Sequence, residues 1–140
     1  QFDLLKAKPD YARWAFEETM RFTSPVHSFF RTANVVTEVS GIKIAEGTKI
    51  LCVLAAANRD ENHWPEPDKF DIDRRPSQHL ALGVGVHTCV GQNVARAEGY
   101  AVLMSIAKKV ESIELAGETV WRPNNSIRSL AHLPVTFRGK

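Results

Sequence analysis

The sequence predicts one domain that mixes α-helices with short β-strands. Apolar residues at helical spacing indicate two helices, one from Pro9 to about Phe22 and one from Gln92 to Val110. Between them and after the second, valine- and isoleucine-rich runs broken by glycine and proline indicate short strands. No repeat, linker or low-complexity segment divides the 140 residues, so we expect a single domain of mixed class.

Composition excludes several classes of protein. A hydrophobic fraction of 44% and a charged fraction of 24% are typical of globular chains and not of disordered ones. The net charge of +2 is too small to indicate nucleic-acid binding, and the apolar run Ile50 to Ala57 is too short to span a membrane. Because Cys52 and Cys89 form no disulfide framework, we expect a reducing, cytoplasmic location. The first residue, Gln1, is not methionine, which suggests a processed chain or a piece of a longer one.

The order of elements follows from local signals. Pro25 ends the first helix, because the residue before a proline avoids helical geometry. Strands are expected from Phe29 to Ala57, with a turn at Ser40-Gly41 and a last strand over residues 49–57. A long irregular stretch, 58–81, precedes a glycine-punctuated loop, and such stretches are usually functional. Short strands and turns are expected over 111–137.

The glycine-punctuated loop ends at Cys89, where the second helix is about to begin. Free backbone N–H groups and the helix dipole at such a position favour the ionised form of a thiol. Glycines allow positive φ and let backbone approach a large flat group. The loop therefore suits one soft anionic ligand that is presented to a metal from one side.

Cys89 allows other interpretations, some of which the neighbouring residues exclude. A zinc site needs further ligands, but only His87 is near, and attached c-type haem needs a Cys-x-x-Cys-His motif that is absent. A dinucleotide loop fails because Thr88 stands where glycine is required. A structural role for Cys89 stays open. A role as a nucleophile with His87 as its base also stays open, although the two residues are only two positions apart in a tight loop, which is poor geometry for such a pair.

Several motifs together resemble the cytochrome P-450 family. Gly83-x-Gly85-x-His87-x-Cys89-x-Gly91 resembles its haem-ligand loop, and Gln92, Ala95, Arg96 and Glu98 resemble the helix after that loop. Glu18-Thr19-Met20-Arg21 resembles its Glu-x-x-Arg motif, and Phe30-Arg31-Thr32-Ala33 resembles the segment whose arginine reaches a haem propionate. Asn58-Arg59-Asp60 and residues 65–71 resemble the meander before the loop. The motifs occur in the family's order and cover nearly the whole chain.

Two positions depart from the family pattern. Leu82 stands where the loop normally begins with an aromatic residue, which alters the contact with the ring and the surroundings of the sulfur. Lys69 stands where the meander arginine is expected. This weakens the expectation of a three-membered ion cluster with Glu18 and Arg21, because lysine cannot form a bidentate fork.

The resemblance implies an α+β fold, mainly helical with small β-sheets, in which residues 1–140 are the C-terminal haem-binding portion of a P-450 domain. Cys89 would then ligate the iron of haem b (iron protoporphyrin IX), with Leu82, Gly83 and Gly91 lining the ligand loop. Arg31 and His87 would bind the haem propionates. Glu18 and Arg21 would be structural.

A narrower resemblance concerns the substrate. The strings at residues 24–31 and 124–128 look like those of the bacterial subgroup that oxidises para-substituted benzoic acids, including by O-demethylation. Phe29 or Phe30, together with Ile127, would then face an aromatic carboxylic acid, although core packing explains the phenylalanines equally well. No residue is proposed as a catalytic acid or base, because the helix that supplies them in the family is absent.

The family implies a monooxygenase that takes electrons from a ferredoxin-type donor and an NADH-dependent reductase. A basic rim around Cys89 would steer the donor, with members at Arg74, Arg75, His79, Arg96, Lys108 and Lys109. We expect the isolated chain to be inactive, and we expect no nucleic-acid or membrane partner. The alternatives are a non-catalytic remnant that binds haem weakly or acts as a scaffold, and a peroxide-driven peroxygenase.

Overall fold

A computed structural model describes all 140 residues and confirms the α+β class. Its helices are α1 (Phe2–Ala7), α2 (Ala12–Thr23), α3 (Leu54–Ala57) and α4 (Gln92–Lys109). Its strands are β1 (Ser28–Thr32), β2 (Thr37–Val39), β3 (Ile42–Ile44), β4 (Lys49–Val53), β5 (Val110–Leu115), β6 (Val120–Arg122), β7 (Ser129–His132) and β8 (Val135–Gly139). No helix is both long enough and apolar enough to cross a bilayer.

The strands form four small antiparallel pairs, β1–β4, β2–β3, β5–β8 and β6–β7. The β2–β3 hairpin turns at Ser40 and Gly41, which have φ values of 50° and 81°. A two-residue hairpin turn of this kind requires positive φ at both positions, and it confirms the turn predicted there. The β1–β4 pair places Phe29 opposite Cys52 and Arg31 opposite Ile50.

The predicted strand over residues 49–57 is wrong in its second half. The chain leaves β4 after Val53 and forms the short helix α3, which is rich in alanine. Alanine has the highest intrinsic helix propensity, and this outweighs the apolar run that suggested a strand. The first helix also begins later than predicted, since Pro9–Tyr11 form a 3₁₀ turn ahead of α2.

Helices α2 and α4 pack closely against each other. Phe16 of α2 lies against Tyr100 of α4 with its ring edge-on, the centroids 5.5 Å apart. Gly99 makes this approach possible, because a Cβ built there would lie 2.1 Å from a ring carbon of Phe16. The small buried core lies near the other end of α4 and consists of Leu5, Ala12, Ala15, Ile72 and Ala107.

We predict that Gly99→Ala destabilises the protein. Alanine normally stabilises a helix relative to glycine by about 0.5–1 kcal/mol, but overpacking at a closed contact costs about 1–3 kcal/mol. The clash with Phe16 should therefore dominate and lower the free energy of unfolding, as measured by denaturant titration. Ser105→Ala, on an exposed face of α4, is the control and should change stability little. An unfolding free energy that rises with Gly99→Ala would contradict the packing described above.

Candidate functional site

The loop that carries Cys89 is closed by its own backbone. The N–H of Cys89 donates to the carbonyl of Leu82 over 2.8 Å, so the loop begins and ends side by side. Gly83 and Gly85 have φ of 73° and 60°, as a tight loop requires. A Cβ on Gly83 would lie 2.3 Å from the carbonyl oxygen of His87, so no larger residue fits there. The result is an exposed free thiol on a tightly wound support.

Cys89 lies on the wall of a cavity of about 690 Å³, a size typical of small-molecule sites. Ten of its 14 lining residues are hydrophobic. The lining residues are Met20, Pro25, Val26, Phe29, Arg31, Cys52, Leu54, Leu80, Ala81, Leu82, Gly83, Val84, His87 and Cys89. The structure therefore brings the cysteine loop to the face of the β1–β4 pair.

Two basic side chains, Arg31 and His87, lie on this otherwise apolar wall. The guanidinium of Arg31 lies over the ring of Phe29, 3.8 Å from its centroid, and its only hydrogen bond is to the Phe30 carbonyl. It thus keeps most of its donors free for an anionic partner. One thiol, apolar walls and two basic groups are the donor set that an amphipathic metal macrocycle with carboxylates needs. These residues fit haem.

The remaining predicted positions lie around the same cavity or at its edge. Leu82 and Gly83 line the cavity. Gly91 lies next to the sulfur, since a Cβ built on it would be 3.9 Å from Sγ of Cys89. Successive strand residues face opposite ways, so Phe29 lines the cavity while Phe30 is 65% exposed and does not. Ile127 does not line the cavity either.

Ile127 is nevertheless held at the cavity edge. It forms a β-bridge with Val26, a lining residue, and the N–H of His27 donates to Ser126 over 3.1 Å. The N–H of Arg128 donates to Pro25 over 2.7 Å. The two strings that suggested an aromatic-acid subgroup are therefore neighbours in space, although about 100 residues separate them in sequence.

Glu18 and Arg21 form a fully buried ion pair. Arg21 Nε and Nη2 each donate to the Glu18 carboxylate over 2.8 Å, and both side chains are 0% exposed. Arg21 also donates to the carbonyls of Asn58 and Pro67, which lie in the segment before the cysteine loop. The pair therefore connects the long irregular segment to α2.

Arg74 supplies the third member of this cluster. Its Nε lies 3.2 Å from Oε1 of Glu18, and its other nitrogens donate to carbonyls of Pro65, Glu66 and Lys69. The side chain of Lys69 points elsewhere, toward Glu66. Arg74, which was predicted for the basic rim around Cys89, thus takes the place in the ion cluster that Lys69 does not fill.

Asn58 completes the connection between these segments. Its amide donates to the Ser24 hydroxyl over 2.9 Å, and its side-chain oxygen accepts from the N–H of Leu80 over 2.7 Å. Asn58 is completely buried. It ties the end of α2 to the start of the cysteine loop, a role that its place in the Asn58-Arg59-Asp60 motif did not reveal.

Glu17 forms a second buried cluster that sequence reasoning missed. Its carboxylate accepts from His79 Nε2 over 2.9 Å, from Arg96 Nε over 2.7 Å and from the Tyr100 hydroxyl. Burial works to raise the pKa of Glu17, but these hydrogen bonds outweigh it and lower the pKa to about 2. Its carboxylate therefore stabilises the fold at neutral pH, and this contribution is lost as the pH falls from 4.5 toward 2.

The predicted basic rim around Cys89 is wrong for most of its members. Arg74, His79 and Arg96 are used in the two carboxylate clusters, and Arg75 donates to the Tyr11 hydroxyl. Lys108 and Lys109 lie in the last turn of α4, about 24 Å along the helix from its start near the loop. Arg74, His79 and Arg96 contact the buried carboxylates of Glu17 and Glu18 because a buried charge without a partner is costly.

We predict that Glu18→Gln lowers the stability of the protein and so the fraction of it that is folded. Neutralising Glu18 leaves Arg21 buried without a counter-charge, and breaking such a pair costs roughly 3–5 kcal/mol. The free energy of unfolding should fall by this amount in a denaturant titration. Glu98→Gln, at an exposed carboxylate on α4, is the control and should stay within about 0.5 kcal/mol of the unmodified protein. Unchanged stability of Glu18→Gln would mean that the cluster is not a structural anchor.

Comparison with known proteins identifies relatives over nearly the whole chain. The family model described as Cytochrome P450 matches residues 6–136. Cytochrome p450 CYP199A2 of Rhodopseudomonas palustris is 50% identical over 135 residues, covering 96% of this chain and 33% of that protein. Beta-dihydromenaquinone-9 omega-hydroxylase of Mycobacterium tuberculosis is 39% identical, covering 96% of this chain and 28% of that protein.

Solved structures agree with these sequence matches. The crystal structure of CYP108D1 from Novosphingobium aromaticivorans superposes with a TM-score of 0.92 at 37% identity, covering 99% of this chain and 34% of that one. The chain thus spans about a third of the length of the relatives that it matches. The family model, the relatives and the solved structures all point to the same family, and the chain belongs to the cytochrome P450 family.

Proposed function

We propose that Cys89 is the thiolate ligand of a haem b, in a protein that inserts one oxygen atom from O₂ into an organic substrate. The observation that carries this proposal is the exposed Cys89 sulfur on the wall of the apolar cavity, beside Arg31 and His87. Membership of the cytochrome P450 family supports it. Bound haem would supply the activation of O₂, with electron donation from the sulfur favouring O–O cleavage.

The chain's own residues would hold and shield the group. The backbone bond from Cys89 to Leu82 fixes the ligand loop, and Gly83 lets that backbone come close. Arg31 and His87 would bind the two propionates through charge-assisted hydrogen bonds. The apolar side chains of Leu82 and Phe29 would exclude water from the iron and the sulfur.

We also propose that residues 1–140 are the C-terminal haem-binding portion of a longer domain. Coverage of about a third of each relative supports this. So does the small number of buried residues, 16 of 140, because large apolar side chains such as Val94 and Val102 stay exposed on α4. Without the rest of the domain we expect no turnover of substrate.

We predict that Cys89→Ser in the full-length protein abolishes the strongly red-shifted Soret band of the reduced carbon monoxide complex. Serine is nearly isosteric but gives no soft thiolate, so the electronic effect of the sulfur on the iron is lost. The measurement is absorption after reduction with dithionite and addition of carbon monoxide. Cys52→Ser is the matched control, because Cys52 lines the same cavity and should leave the band in place. An unaltered spectrum for Cys89→Ser would end the haem–thiolate proposal.

For the substrate we propose a para-substituted aromatic acid. The proximity of the 124–128 turn to Pro25 and Val26 supports it, as does Phe29 on the cavity wall, since a phenylalanine can stack on a flat ring. The oxidation would be a hydroxylation or an O-demethylation of that acid.

We predict that para-substituted benzoates bind the full-length protein and shift the spin state of its ferric haem. Phe29→Ala should weaken the binding of these benzoates by about tenfold, since an aromatic pair contributes about 0.5–1.5 kcal/mol beyond the area it buries. Absorption titration gives the dissociation constants. Phe30→Ala is the control, because Phe30 faces away from the cavity. No spin-state change with any such benzoate would remove the substrate assignment.

For the electron donor we propose a ferredoxin with an NADH-dependent reductase. The exposed face of the cysteine loop carries Val86 and Val90, which are almost wholly exposed. Because Arg74, Arg96 and their neighbours are used inside the protein, docking at this face would depend on apolar contact more than on steering by charge.

A further inference from the structure

The buried Glu17 cluster joins three separate segments of the chain. Glu17 lies on α2, His79 lies in the segment before the cysteine loop, and Arg96 and Tyr100 lie one turn apart on α4. Glu17 is 7% exposed, and both of its carboxylate oxygens accept hydrogen bonds. One carboxylate therefore holds segments on both sides of Cys89.

On the near side of the loop, the contacts lead from Glu17 to the backbone of Cys89. His79 donates to Glu17 through Nε2, and its Nδ1 accepts from the N–H of Ala81 over 3.3 Å. These two contacts place the ring proton on Nε2. The next residue, Leu82, accepts the N–H of Cys89. The ring of His79 is therefore connected, through Ala81, to the residue at which the loop begins.

On the far side, a second series of contacts leads to the same residue. Arg96 donates to Glu17 through Nε and to the side-chain oxygen of Gln92 through Nη1 over 2.5 Å. The N–H of Gln92 in turn donates to the carbonyl of Cys89 over 3.1 Å. Both backbone groups of Cys89 are thus connected to the carboxylate of Glu17, the N–H through three residues and the carbonyl through two.

We propose that Glu17 is a positioning residue for the Cys89 sulfur. This inference rests on the proposed haem–thiolate function and adds a residue to it. Glu17 touches neither Cys89 nor the cavity, so it acts only through His79 and Arg96. Its charge holds two donors whose positions fix the beginning and the end of the ligand loop.

The test uses the full-length protein with haem bound. In the reduced carbon monoxide complex, we measure the ratio of molecules that have lost thiolate ligation to those that keep it. Glu17→Gln keeps the size of the side chain but removes the charge that His79 and Arg96 face. The ratio should rise on the order of tenfold, as expected for the loss of one charge-assisted hydrogen bond. Tyr100→Phe removes a single donor and should raise the ratio less.

Two controls separate positioning from general destabilisation. Leu5→Ala removes a buried side chain from the core near the other end of α4, so it lowers stability without touching the Glu17 cluster. Glu98→Gln removes an exposed carboxylate of α4 that has no hydrogen-bond partner. Both should leave the ligation ratio unchanged, even where Leu5→Ala unfolds at a lower denaturant concentration than Glu17→Gln.

The outcomes are distinct. A ratio that rises in Glu17→Gln but not in Leu5→Ala supports the positioning role, and a ratio that rises in both or in neither overturns it. If Glu17→Gln does not fold, Arg96→Lys decides in its place, because lysine keeps the charge but lacks the planar fork through which Arg96 bonds Glu17 and Gln92 at once. A raised ratio in Arg96→Lys supports the positioning role, and an unchanged ratio overturns it. If the unmodified protein lacks the thiolate band, or Cys89→Ser retains it, the proposed function itself fails.

Discussion

Two adjacent buried carboxylates on α2, Glu17 and Glu18, organise the rest of the structure. Consecutive helix residues point about 100° apart, so the two carboxylates serve different parts of the chain. Glu18 holds the irregular segment before the loop through Arg21 and Arg74, whereas Glu17 holds α4 through Arg96. Removal of the Glu18 charge would leave two arginines without a counter-charge, and removal of the Glu17 charge would leave one.

Burying so much charge is costly, and the arrangement is stable because every partner is present. Each guanidinium in the two clusters donates to a carboxylate and also to carbonyls or an amide oxygen. No buried polar side-chain atom lacks a hydrogen-bond partner. A buried network in which every polar group has a hydrogen-bond partner holds a segment without regular structure in one conformation. This conformation places Cys89 at the cavity.

The hydrophobic core, by contrast, is small and lies away from the cavity. The cavity wall consists of residues from α2, the β1–β4 pair and the cysteine loop, which hydrogen bonds and ion pairs hold together. Apolar surface is thereby left free to bind a ligand instead of being used to close the fold. The same argument explains why Phe29 and Cys52, paired across two strands, lie on the wall and not in the core.

Sequence by itself determined the α+β class, the two main helices, the Ser40-Gly41 turn and the loop that presents Cys89. Local rules decide these features, since helical spacing, positive φ at glycine and the effect of proline depend only on near neighbours. The tertiary structure alone decided which charges pair. Arg74, and not Lys69, reaches Glu18, and Glu17 gathers His79 and Arg96 from positions 62 and 79 residues away. Such pairings depend on how a segment without periodicity folds back on α2, and no local pattern in the sequence records that path.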